Sequence, residues 1–95
     1  MTDSCPLCDG IANQKPVDKD NAFKVFCATC GNFVISKIVI KRLINEWATM
    51  REALVHEALD ARNNGHHLDI TQKIESGKTV LDCKKITDID FLAIK

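Results

Sequence analysis

Residues 22–36 read AFKVFCATCGNFVIS, with Cys27 and Cys30 three positions apart. Apolar side chains alternate on both sides of the pair: Phe23 and Val25 before it, Phe33 and Ile35 after it. A period of two is the signature of a half-buried strand. The stretch therefore predicts a β-hairpin, roughly 22–27 paired with 32–36, whose turn carries two thiols. Upstream, CPLCDG at 5–10 repeats the cysteine spacing, and eighteen residues separate Cys8 from Cys27. Two CxxC pairs bring four sulfurs to one tetrahedral ion, so Cys5, Cys8, Cys27 and Cys30 are the candidate metal ligands and one structural Zn2+ is the expected cofactor. Pro6 stiffens the first knuckle, and Gly10 and Gly31 are placed to take positive φ. Between the knuckles, NQKPVDKDN at 13–21 has the composition of an exposed loop.

At Ser36 the period changes. Ile40, Leu43, Ile44, Trp47, Leu54, Val55, Ala58 and Leu59 recur in steps of three and four, while Lys41, Arg42, Asn45, Glu46, Glu52, His56, Glu57 and Asp60 take the other side. This pattern predicts a long amphipathic helix, with Ser36 as N-cap and Gly65 as its stop. Unbroken, it would run about 40 Å at 1.5 Å per residue. A domain of this size has a radius of gyration of about 12 Å, so the apolar stripe needs a further cover. The C-terminal third is one candidate, and a second copy or a target protein is the other. In that third, Asp69 and Gln72 resemble a capping box and Ile70 and Ile74 lie one turn apart, which predicts a short helix ending near Gly77. Thr87 and Asp90 offer a second helix start before Phe91, Leu92 and Ile94. A strand over 78–83 competes with this reading, and 86–94 also alternates. The fold class expected from these patterns is α+β: an N-terminal four-cysteine zinc ribbon over 1–36, then a long helix and a mostly helical C-terminal segment over 37–95, packed with it as a single domain.

CPLC, then FKVFCATCGNFVIS, then a helix containing IKRLINEW resembles the zinc-ribbon segments of small bacterial and phage proteins. The similarity covers residues 5 to about 65. It implies zinc at the four cysteines and a role in recruitment or nucleic-acid transactions, and it carries no catalytic residues.

The remaining chemistry is weighed by exclusion. The chain is 45% hydrophobic and 27% charged, an ordinary globular composition, with thirteen Lys/Arg against thirteen Asp/Glu. Four thiolates around a divalent ion add about −2, which makes the folded protein mildly acidic. A rubredoxin-like iron site shares the CxxC spacing, but the chain lacks the aromatic shell and acidity of such carriers. Catalytic zinc needs an open coordination position, and no nucleophile elbow or phosphate loop is present, so no enzyme is expected. Lys24, Lys37, Lys41 and Arg42 outline a small basic stripe, with Phe33 to stack on a base. The metal-thiolate charge cancels the excess of six Lys/Arg over four Asp/Glu in residues 1–45, so nucleic acid is the alternative and not the first reading. His56, His66, His67 and Cys83 match no familiar chelate: His56 is expected on the solvated helix face and Cys83 in the core. The start MTDSCPLC shows no basic-then-apolar leader and no segment reaches membrane-span length, so a cytoplasmic address without membrane contact is expected. The function expected is a zinc-stabilised, non-enzymatic adaptor or regulator. It would act on an unknown protein partner, or through self-association, by the helix bearing Trp47 and Leu54.

Overall fold

The hairpin that the cysteine-bearing stretch predicts is present, and it forms the middle of a larger sheet. The computed structural model describes residues 3–95. Met1 and Thr2, part of the start read above for a leader, lie outside the described residues. Six strands follow one another across the sheet in chain order: β1 (Asp3–Ser4), β2 (Ile11–Val17), β3 (Ala22–Cys27), β4 (Gly31–Ser36), β5 (His67–Glu75) and β6 (Lys78–Ile86). Neighbours are antiparallel except β4 and β5, which run parallel with Phe33 beside Leu68 and Ile35 beside Ile70. A parallel pair requires a crossover, and helices α1 (Lys37–Ile44) and α2 (Arg51–Asn63) supply it. A short helix α3 (Asp88–Ala93) follows β6.

The register sorts the side chains into two faces. Val25, Phe33, Ile35, Leu68 and Ile70 point to one face and are fully buried beneath Val39 and Leu43 of α1 and Leu54, Ala58 and Ala61 of α2. Alanines at 58 and 61 let α2 lie close to the strands. On the other face Phe91 of α3 is buried, its ring 6.0 Å from that of Phe26 and 4.5 Å from the His67 ring. The Lys24 ammonium sits 5.0 Å from the centre of the Phe91 ring, a cation–π contact that accompanies burial of the lysine.

Three expectations are overturned. The continuous helix from Ser36 to Gly65 is two helices, separated at Asn45–Trp47 and by a 3-10 turn at Ala48–Met50. The backbone N–H groups of Asn45 and Trp47 both turn back to the Arg42 carbonyl, which ends α1. A straight helix of about 40 Å would overshoot a molecule whose longest extent is 33 Å, whereas two short helices both stay over the sheet. Second, the C-terminal segment is not mostly helical: the helix expected from Asp69 to Gly77 is strand β5, and the competing strand reading over 78–83 describes β6. Ile70 and Ile74 are four apart, a spacing that shares a face in a strand as well as in a helix. The β-branched residues Ile70, Thr71, Ile74, Thr79 and Val80 favour the strand. Ser76 and Gly77, both at positive φ, close the hairpin with the twist that antiparallel strands prefer. Third, the segment 13–21 is not a loop throughout, because residues to Val17 belong to β2 and the turn is confined to 18–21. Pro16 is accommodated because β2 there has only β3 beside it. The helix start at Thr87 is found: its hydroxyl accepts the Asp90 N–H at 3.1 Å.

Candidate metal centre

Both knuckles sit at one end of the sheet. Cys27 ends β3 and Cys30 precedes β4, so the hairpin turn itself carries one pair. Gly31 takes φ +86 in that turn, as the sequence suggests. The first knuckle closes differently: Asp9, not Gly10, adopts the positive φ, and the Cys5 N–H donates to the Gly10 carbonyl at 2.7 Å. Gly10 serves by its size, since a Cβ there would lie 3.3 Å from the Cys8 sulfur.

The four sulfurs of Cys5, Cys8, Cys27 and Cys30 lie within 4.8 Å of one another. Cys5 and Cys30 are 4.0 Å apart and Cys8 and Cys27 3.6 Å. A regular tetrahedron with metal–sulfur bonds near 2.3 Å has edges of about 3.8 Å, so the donor set is already at coordinating separation. A disulfide would need sulfurs at about 2.05 Å. Cys5, Cys27 and Cys30 are buried and Cys8 is partly so. The Cys30 N–H donates to the Cys27 sulfur at 3.4 Å, the contact by which a knuckle stabilises thiolate charge.

The electrostatics make the same demand. Burial pushes the Cys5 thiol up to about 11, and burial together with the neighbouring sulfur groups pushes Cys30 upward as well. Cys27 moves the other way: burial alone would raise it, but the N–H groups of Cys30 and Thr29 together with the Cys8 and Cys5 thiols outweigh that cost. Four thiols in one buried volume cannot all ionise against each other, and a divalent cation at their centre removes the conflict. The chain can hold a metal ion at these four residues.

What the sequence did not reveal is the clamp that carries the knuckles. Arg51, at the start of α2, donates from Nε to the Pro6 carbonyl at 3.1 Å and pairs with Asp9 at 2.5 Å. Arg62, near the other end, donates from Nη1 to the carbonyls of Ala28 and Thr29 at 3.0 and 3.2 Å. One helix thus grips one knuckle with each end. The partners are 45 and 34 positions away along the chain, so no local pattern signals them.

The other residues singled out from sequence are scattered. His56 is exposed on α2 near Glu52, and half-buried Cys83 packs on the core edge, where burial raises its thiol. His66 Nδ1 faces the Asn64 carbonyl at 2.9 Å. His67 Nε2 lies 2.8 Å from Asp88 and its Nδ1 3.3 Å from the Asn32 carbonyl. Among the described residues, no second group of three or more His, Cys, Asp or Glu side chains converges. The basic stripe with its stacking aromatic is not assembled. Phe33 is fully buried, Lys24 lies under Phe91 on the opposite face of the sheet, and Arg42 pairs with Glu46 at 2.7 Å over the Trp47 ring. Leu54 is buried against the sheet and Trp47 partly so. No described helix is long and apolar enough to cross a membrane.

No protein-family model, no curated protein and no solved structure matches the chain.

Proposed function

We propose that this chain is a zinc-stabilised, non-enzymatic adaptor or regulatory protein of the cytoplasm that works through contact with protein. The observation that carries the reading is the closed set of four sulfurs at tetrahedral separation, gripped from behind by Arg51 and Arg62. Four thiolates leave a zinc ion no open position for water or substrate, so its chemistry is that of a crosslink between the first knuckle and the β3–β4 turn. His67 has both ring nitrogens against acceptor oxygens, the Asn32 carbonyl and Asp88. Against the nucleic-acid alternative stand the burial of Phe33 and the separation of Lys24 from the α1 cations. Zinc is favoured over iron by the low aromatic content of the chain, 5%. A cytoplasmic setting suits five cysteines that are all unpaired.

Metal analysis of protein purified under reducing conditions tests the reading. The expected result is about one zinc per chain and a colourless solution. Iron would show as visible thiolate charge-transfer absorption, and a metal-free, folded chain would overturn the proposal.

A further inference from the structure

The sheet has two edges of different character. One is formed by the two residues of β1 and the free part of β2, where Pro16 interrupts the row of donors and Lys15 adds a charge. The other is β6, nine residues long, with β5 on one side and no strand beyond it among the described residues. Among the described residues, no backbone group of β6 is hydrogen-bonded to a turn or loop. An open strand of that length is a template for another strand.

We infer that β6 pairs with β6 of a second copy, antiparallel and centred on Val80, and joins two sheets into one. A closed pair requires a two-fold axis, so only antiparallel registers qualify. Charge and apolar matching choose among them. Centring on Asp82 sets two carboxylates face to face, and centring on Leu81 sets Lys78 against Lys84; centring on Cys83 pairs Asp82 with Lys84 but sets Leu81 against the Lys85 ammonium on the helix-covered face. Centring on Val80 places Lys78 opposite Asp82 of the second copy, and by symmetry Asp82 opposite its Lys78. Thr79 then faces Leu81, and Val80 faces Val80. The intramolecular register extends the pattern: Glu75 is the neighbour of Lys78, and Lys73 reaches Asp82 at 3.7 Å. Each row of the joined sheet thus runs acidic, basic, acidic from Glu75 through Lys78 to the second copy's Asp82. On the helix-covered face the two Leu81 side chains become diagonal neighbours, within contact range of one another. Thr79, Val80 and Leu81 are only half-buried in the single chain and gain cover. The lysines at 78, 84 and 85 guard the edge against indiscriminate stacking.

This inference names the partner in the contact reading above and rests on that reading. Its test is sedimentation of the zinc-loaded chain from low to several hundred micromolar, with metal content read on the same samples so that failure of the zinc assignment is recognised separately. A monomer–dimer equilibrium is expected. Lys78→Asp or Asp82→Lys alone should weaken the dimer by roughly tenfold or more, because two symmetry-related pairs turn from attraction to repulsion. Mixing the two single variants should restore association, since every facing pair is then opposite in charge, and that rescue excludes misfolding as the cause. A wild-type chain that stays monomeric throughout, or a dimer indifferent to both substitutions, overturns the inference.

Discussion

At the scale of single residues, the knuckles set the strictest demands. Gly31 carries φ +86, and a Cβ there would lie 3.1 Å from Cδ of Arg62, the side chain that caps the second knuckle. Gly31→Ala must therefore strain the backbone and displace the clamp, at a cost of about 2 kcal/mol or more. Gly77 has a similar φ but open space around it, so Gly77→Ala should cost only the backbone part, about 1 kcal/mol. Thermal melts of the two variants check the difference. Asp69 makes a prediction about pH. Burial raises its carboxyl pKa, with Asp82 adding to the shift and Lys84 opposing it. A raised folded-state value means that the proton is held more tightly in the folded chain than in the unfolded one. The stability this contributes is present below the ordinary carboxylate range and is lost as pH rises through the folded value. Asp69→Asn should accordingly be more stable than the wild type at pH 7, and the advantage should shrink as the solution is acidified. Equal melting temperatures at neutral pH would contradict this.

At the scale of elements, α2 has the decisive role, because it closes the core with Leu54, Ala58 and Ala61 and grips the metal knuckles with its ends. Replacing Arg51 and Arg62 together by alanine removes hydrogen bonds to Pro6, Ala28 and Thr29 while leaving all four sulfurs in place. Each loss should cost about 1 kcal/mol, and chelators should strip metal faster from the double variant, as a chromogenic zinc indicator would report. An unchanged release rate would reduce the arginines to surface decoration. The elements also explain which readings of the chain succeeded. The β3–β4 hairpin was legible because alternation and the CxxC turn point to the same structure. The β5–β6 hairpin was not, because Ile70 and Ile74 fit both periods and Gly77 serves equally as a helix stop and as a turn residue. The break at Asn45–Trp47 was invisible for a different reason: Leu43 and Leu54 are eleven residues apart, which keeps them on one face of an uninterrupted helix.

At the scale of the whole molecule, an ion held by the four cysteines would be coupled to the fold through the centre of the sheet. Reading the ribbon as an N-terminal unit implies that metal removal unfolds at least the first third of the chain. The strands that carry Cys27 and Cys30 are instead central ones, beneath α1 and α2 and beside β5. Metal binding at such a site contributes on the order of 10 kcal/mol, comparable to the entire stability of a domain this size, about 5–15 kcal/mol. Chelation should therefore unfold β5 and β6 together with the ribbon, seen as a single transition in circular dichroism and as loss of amide protection along β5. Survival of that protection without metal would show two separate stability units. The amino-acid sequence by itself determined the four cysteines that can hold a metal ion and the hairpin that bears two of them, because these rest on spacings of a few residues. Only the tertiary structure decided that the ribbon would become the middle of a six-stranded sheet, that the long helix would break to stay above it, and that Arg51 and Arg62 would grip the knuckles. Those outcomes depend on which surfaces remain to be covered once the chain has closed on itself, a condition that no local pattern encodes.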